Sequence, residues 1–222
     1  MGTSCYGRTR YRDRDVMITD SIDIDMDRVF DLAQLNPIKA KNIYVYGSKV
    51  YGTDRPDSDI DVIITACTMD AHKEYNDGEY NIHLITPDIF EDKLRKHDIH
   101  QLECIFAPSF AIIQEKTDYR TDFELNRDKL KKKVLSQSTH SWHQAKIRMR
   151  DGDIERGAKA LFHSLRMLVF AEQILNEGCI FDFSEANYWY EQIIEDNAYE
   201  WPAYKNKWIG KKRLLEKLVK NS

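Results

Sequence analysis

Two apolar, β-prone runs, Asn42–Tyr46 and Ile60–Thr65, stand on either side of a polar stretch that opens on Gly47-Ser48 and closes on Asp59-Ile60-Asp61. Strand residues two apart share a face, so Asp59 and Asp61 present their carboxylates side by side while Ile60, Val62 and Ile64 turn to the core. Neighbouring anions repel unless a cation sits between them. A hard divalent ion, Mg²⁺ or Mn²⁺, takes oxygen ligands from one or two carboxylates and from substrate phosphates. Gly47 lets the backbone come close to a ligand. Ser48 opens a helical turn that turns N–H groups and a hydroxyl toward an anion. A phosphate cradle beside a metal site is what phosphoryl-group transfer requires. Other motifs fail on inspection. A calcium loop starting at Asp57 meets Val62 where glycine is obligatory, and no P-loop pattern occurs. Asp23-x-Asp25-x-Asp27 reads as a loop and helix start.

The remaining pattern sets the fold class. Asp25–Leu35 is periodic and reads as a helix ended by Asn36-Pro37. Glu79–Ile85 alternates as a third strand after the Asn76-Asp77-Gly78 turn. Thr86-Pro87 starts a helix to about Lys96. Asp98–Phe106 reads as helix and Phe110–Gln114 as a short strand. Beyond residue 118 the pattern is helical: Asp122–Val134, Ser138–Arg150, Asp153–Asn176, Ser184–Asp196 and Tyr204–Lys220. The expected architecture is α/β (α+β): a short mixed sheet with flanking helices over 1–118, then an all-helical subdomain over 119–222, with a cleft between them.

Composition narrows the class of protein. Over 222 residues, 42% are apolar and 32% charged, which suits a folded, water-soluble chain. No apolar run is long enough to span a membrane, and the polar, arginine-rich Met1–Asp15 lacks a signal core. A cytoplasmic location is expected. Cys5, Cys67, Cys104 and Cys179 are scattered, without C-x-x-C spacing, and read as small buried hydrophobes rather than disulfides or zinc ligands. Net charge is −4. Even so, Lys205, Lys207, Lys211, Lys212, Arg213, Lys217 and Lys220 gather near the end, as the solvated face of a helix or a contact for nucleic acid. Trp142, Trp189, Trp201 and Trp208 read as core, and His140 and His143 as surface residues.

Gly47-Ser48-x-x-Tyr51-Gly52 followed by Asp57-Ser58-Asp59-Ile60-Asp61 resembles the polymerase-beta-like nucleotidyltransferase superfamily, whose signature is Gly-Ser, a short spacer and Asp-x-Asp. It is similar in particular to the small predicted nucleotidyltransferases of bacteria and phages. His97-Asp98-Ile99, Leu102-Glu103 before Phe106-Ala107-Pro108, and Lys159 through His163 to Arg166 also match that group. The resemblance runs from about residue 42 to 176. It implies transfer of a nucleoside monophosphate from an NTP such as ATP (an EC 2.7.7 type of reaction) with release of pyrophosphate. The acceptor would be an RNA end, a protein hydroxyl or a small molecule.

The family pattern also has a third carboxylate on the next strand, and here the sequence departs from it. The acid's place falls on Asn81, a neutral amide unable to take a proton from a hydroxyl. Glu79 on the same face is one substitute, His83 another, and no third acid is the remaining alternative. On the Asp153–Asn176 helix, Lys159, His163 and Arg166 share one face opposite Ala158, Leu161, Leu165 and Leu168. They are expected to support the triphosphate held by Gly47 and Ser48. The rival reading is a degenerate member that binds nucleotide or a partner protein and regulates without chemistry.

Overall fold

A computed structural model describes residues 22–68, 72–196 and 200–222. Met1–Asp15, with Cys5, lies outside the described residues. The chain divides into two compact units between Glu124 and Leu125.

The first unit is a mixed five-stranded sheet with flanking helices. Its elements run α1 (Met26–Leu32), a 3-10 turn (Pro37–Lys39), β1 (Ala40–Tyr46), α2 (Ser48–Tyr51), β2 (Ile60–Ala66), β3 (His72–Asn76), β4 (Tyr80–Ile85), α3 (Pro87–Arg95), α4 (Ile99–Ile105) and β5 (Ile112–Glu115). The strand order is β3-β4-β2-β1-β5. β2 and β4 are parallel and the other pairs antiparallel. Central strands β1 and β2 are buried on both faces, which is why they read as near-continuous apolar runs. Asp25 caps α1 by accepting from the Arg28 N–H. That helix stops a turn short of the expected Leu35, because Gln34 adopts a left-handed conformation at φ 51°. His97 does the same at φ 57°, separating α3 from α4, whose first turn Asp98 caps.

β3 carries no apolar alternation in His-Lys-Glu-Tyr-Asn and was not expected from the sequence. It is the sheet's edge, where charged side chains discourage pairing with another chain.

The second unit is all helical: α5 (Arg127–Arg150), α6 (Ile154–Glu177), α7 (Asn187–Ile194) and α8 (Trp201–Asn221). The two helices expected over Asp122–Arg150 are one. Ser138, read as a helix start, is instead a buried donor from α5 to the Ser164 carbonyl of α6, at 2.7 Å. α5 and α6 approach so closely near their connection that a Cβ on Gly157 would lie 2.4 Å from Met149 Cγ. Trp142, Trp201 and Trp208 are buried, and the first two meet edge to face at 5.2 Å. Trp189 is half-buried. Several tail cations are engaged within this unit. Lys212 is buried and pairs with Glu216, Lys211 lies 4.2 Å from the Trp189 ring centre, and Lys207 reaches Asp196 at 2.9 Å. Cys104 and Cys179 are buried as expected, whereas Cys67 is exposed. No helix among the described residues is long and apolar enough to cross a membrane.

One buried hydrogen bond ties the short helix α2 to α4: the Tyr51 hydroxyl donates to the Glu103 carboxylate, with both residues almost fully inaccessible. Tyr51→Phe removes that donor from a buried anion. It is expected to cost the first unit about 1–3 kcal/mol in denaturant unfolding, and an unchanged midpoint would show that the bond contributes nothing net.

Candidate active site

The site begins where β1 ends. Gly47 has φ 79° and ψ −156°, a conformation essentially restricted to glycine. It turns the chain into α2, whose first turn leaves the Ser48 and Lys49 N–H groups without acceptors inside the helix. A Cβ on Gly47 would sit 2.2 Å from Asp61 Oδ2. The turn therefore lies directly against the aspartate, and only a residue lacking a side chain allows that approach. Gly52, left-handed at φ 72°, closes the helical turn with its N–H on the Ser48 carbonyl. The loop that follows is fixed locally: Lys49 pairs with Asp54 at 2.8 Å, and the Arg55 N–H donates to Ser58 Oγ at 2.8 Å.

Asp61 sits inside β2, with Tyr46 as its partner on β1 and Asn81 as its partner on β4. One row of the sheet thus reads Tyr46, Asp61, Asn81, and then Asn76 on β3. The Asn81 side-chain amide donates to Asp61 Oδ1 at 2.8 Å. Asp59 stands two residues earlier on the same face, just before the strand, and is half-buried. Among the described residues it accepts no hydrogen bond and joins no ion pair. Burial, then the Asp61 charge, pushes the Tyr46 phenol far above its ordinary value, so it stays protonated beside the carboxylate.

The other sequence candidates fall in different places. The β2–β4 pairing begins at Ile60–Tyr80, so Asp59 and Glu79 each stand just before a strand, and the Ile60 N–H donates to the Glu79 carbonyl at 2.7 Å. The Glu79 carboxylate, however, is drawn to Arg28 on α1. His83 shares the face of Asn81 but lies further along β4, with Nδ1 3.3 Å from Glu74. Burial lowers its pKa below the histidine norm. Lys159, His163 and Arg166 stand on α6 in the helical unit. There Lys159 pairs with Glu155 at 3.2 Å. Arg166 is buried, with its guanidinium over the Phe162 and Phe170 rings at 5.7 and 5.5 Å. The motif spacing did not disclose Arg28 or the Tyr51–Glu103 bond, since both depend on partners distant in sequence.

Comparison with known proteins identifies the family to which this arrangement belongs. Residues 31–143, just over half of the chain, match the model of the nucleotidyltransferase domain. The chain belongs to that family. Among solved structures it is similar to a nucleotidyltransferase-like protein from Exiguobacterium sibiricum 255-15, at 13% identity, covering 88% of this chain and 72% of the other with a TM-score of 0.32. No curated protein matches.

Gly47→Ala combines a forbidden backbone conformation with a collision at Asp61. It is expected to destabilise the first unit by about 1–3 kcal/mol and to displace the Asp61 carboxylate. Unfolding measurements and a crystal structure of the variant check this, and a neutral effect on both would contradict the contact.

Proposed function

We propose that the protein is a metal-dependent nucleotidyltransferase that moves a nucleoside monophosphate from an NTP to an acceptor hydroxyl. The supporting observation is the Asp61 carboxylate packed on the Gly47 turn, with Asp59 beside it and open. Asp59 and Asp61 are the residues that would hold Mg²⁺ or Mn²⁺. Gly47 and Ser48 would fix the phosphates. Such an ion, when bound, neutralises the triphosphate and lowers the barrier to attack. The acceptor oxygen forms a new bond to the α-phosphorus, the bond to the β-phosphate oxygen breaks, and pyrophosphate leaves. Asn81 holds Asp61 by its amide and so orients the carboxylate, but it takes no proton. Glu79 would accept the acceptor's proton once it parts from Arg28, an exposed partner. Lys159, His163 and Arg166 are retained as supporting phosphate contacts on the strength of the family resemblance. The acceptor is an RNA end, a protein hydroxyl or a small molecule.

Asn81 also favours a second reading, in which the chain binds nucleotide and regulates without turnover. The two separate on one assay. With Mg²⁺ and each NTP, pyrophosphate release or self-labelling is expected from the native chain and not from Asp59→Asn/Asp61→Asn. Nucleotide binding without product from any NTP would favour the regulatory reading, and activity surviving the double substitution would refute the metal assignment. Glu79→Gln is expected to lower turnover by about 10²–10⁴-fold in the same assay, and unchanged turnover would remove Glu79 from the reaction.

A further inference from the structure

A second group of ligating side chains lies on the same sheet face, apart from the aspartate pair. His72 and Glu74 on β3 stand in register with Ile85 and His83 on β4, so His72, Glu74 and His83 project together. Glu74 Oε1 is 3.6 Å from His72 Nε2 and 3.3 Å from His83 Nδ1, and one ligand atom from each residue falls within 4.8 Å of the others. The two imidazole rings are nearly parallel at 5.9 Å. A tetrahedral ion with bonds of about 2.0–2.1 Å sets its ligands about 3.4 Å apart, so the two short separations already match the edges of such a shell.

We propose that His72, Glu74 and His83 bind a transition-metal ion, with zinc the best suited. Two nitrogens and one carboxylate oxygen form a borderline donor set. Imidazole suits zinc and its neighbours, whereas Mg²⁺ prefers oxygen alone. Three protein ligands leave a fourth position, and this one opens on a pocket of about 200 Å³ that is also lined by Lys93, Asp98, His100 and Gln101. The ion also joins edge strand β3 to β4, so its binding energy adds to the stability of the fold.

This proposal does not rest on the nucleotidyl-transfer reading, and the test keeps them apart. Untagged protein stripped with a chelator and titrated with Zn²⁺ against a chromophoric competitor is expected to take up one equivalent per chain. Uptake should survive a hundredfold excess of Mg²⁺ and raise Tm. His72→Ala and His83→Ala should lose the equivalent, and Asp59→Asn/Asp61→Asn should keep it. Co²⁺ in place of zinc should show the intense visible bands of a four-coordinate site. Circular dichroism verifies that the variants fold, and Glu74→Gln, at an exposed edge position, serves if a histidine variant does not. No uptake by the native chain, uptake retained without the histidines, or uptake lost with the aspartates would each overturn the assignment.

Discussion

The contact between Asp61 and Gly47 constrains everything else at the site. A carboxylate can lie against a backbone turn only if no Cβ intervenes, and at 2.2 Å none fits. The contact sets the end of β1, since the chain must leave the strand at a residue free to take φ 79°. It also fixes the register, because Tyr46 opposes Asp61 in the antiparallel pair. From there the parallel pairing with β4 brings Asn81 to the carboxylate's other side. Asp61 and the Gly47 turn are therefore one construction held by the two central strands. Rigid placement of this kind is what in-line transfer demands, as most of its catalysis is positioning and charge stabilisation.

Much of this was legible in the sequence because it depends on local chemistry. Gly-Ser after a β-run and Asp-x-Asp before another state the turn and the strands within a short stretch. Asn81 was singled out only through the family pattern, and its pairing with Asp61 comes from the sheet register. Less legible was whatever depends on partners far along the chain. β3 is polar because it is an edge, and nothing local distinguishes His72–Asn76 from a loop. The single helix α5 spans the two segments expected over Asp122–Arg150, and Ser138 between them is a buried donor to α6, a partner distant in sequence. The Tyr51–Glu103 bond spans 52 positions and leaves no mark in either segment.

The helical unit shows how a sequence pattern can carry two meanings. Lys159, His163 and Arg166 share a face, which suggested a phosphate-binding row. Within its own unit Arg166 is also buried, with its flat guanidinium over the Phe162 and Phe170 rings. Lys159 already has a carboxylate partner one turn away. The tail lysines repeat the lesson, with Lys211 and Lys212 set over tryptophan rings rather than standing wholly in water.

In the proposed reaction a divalent ion and a nucleotide's phosphates are held together at Asp59, Asp61 and the Gly47 turn. Mn²⁺ titrated into the native chain with and without a non-hydrolysable NTP analogue, followed by electron paramagnetic resonance, addresses it most directly. The analogue is expected to create one bound Mn²⁺ per chain and to lose its own affinity when the ion is chelated. An analogue that binds equally well in the presence of a chelator, with no Mn²⁺ immobilised beside it, would refute the shared site.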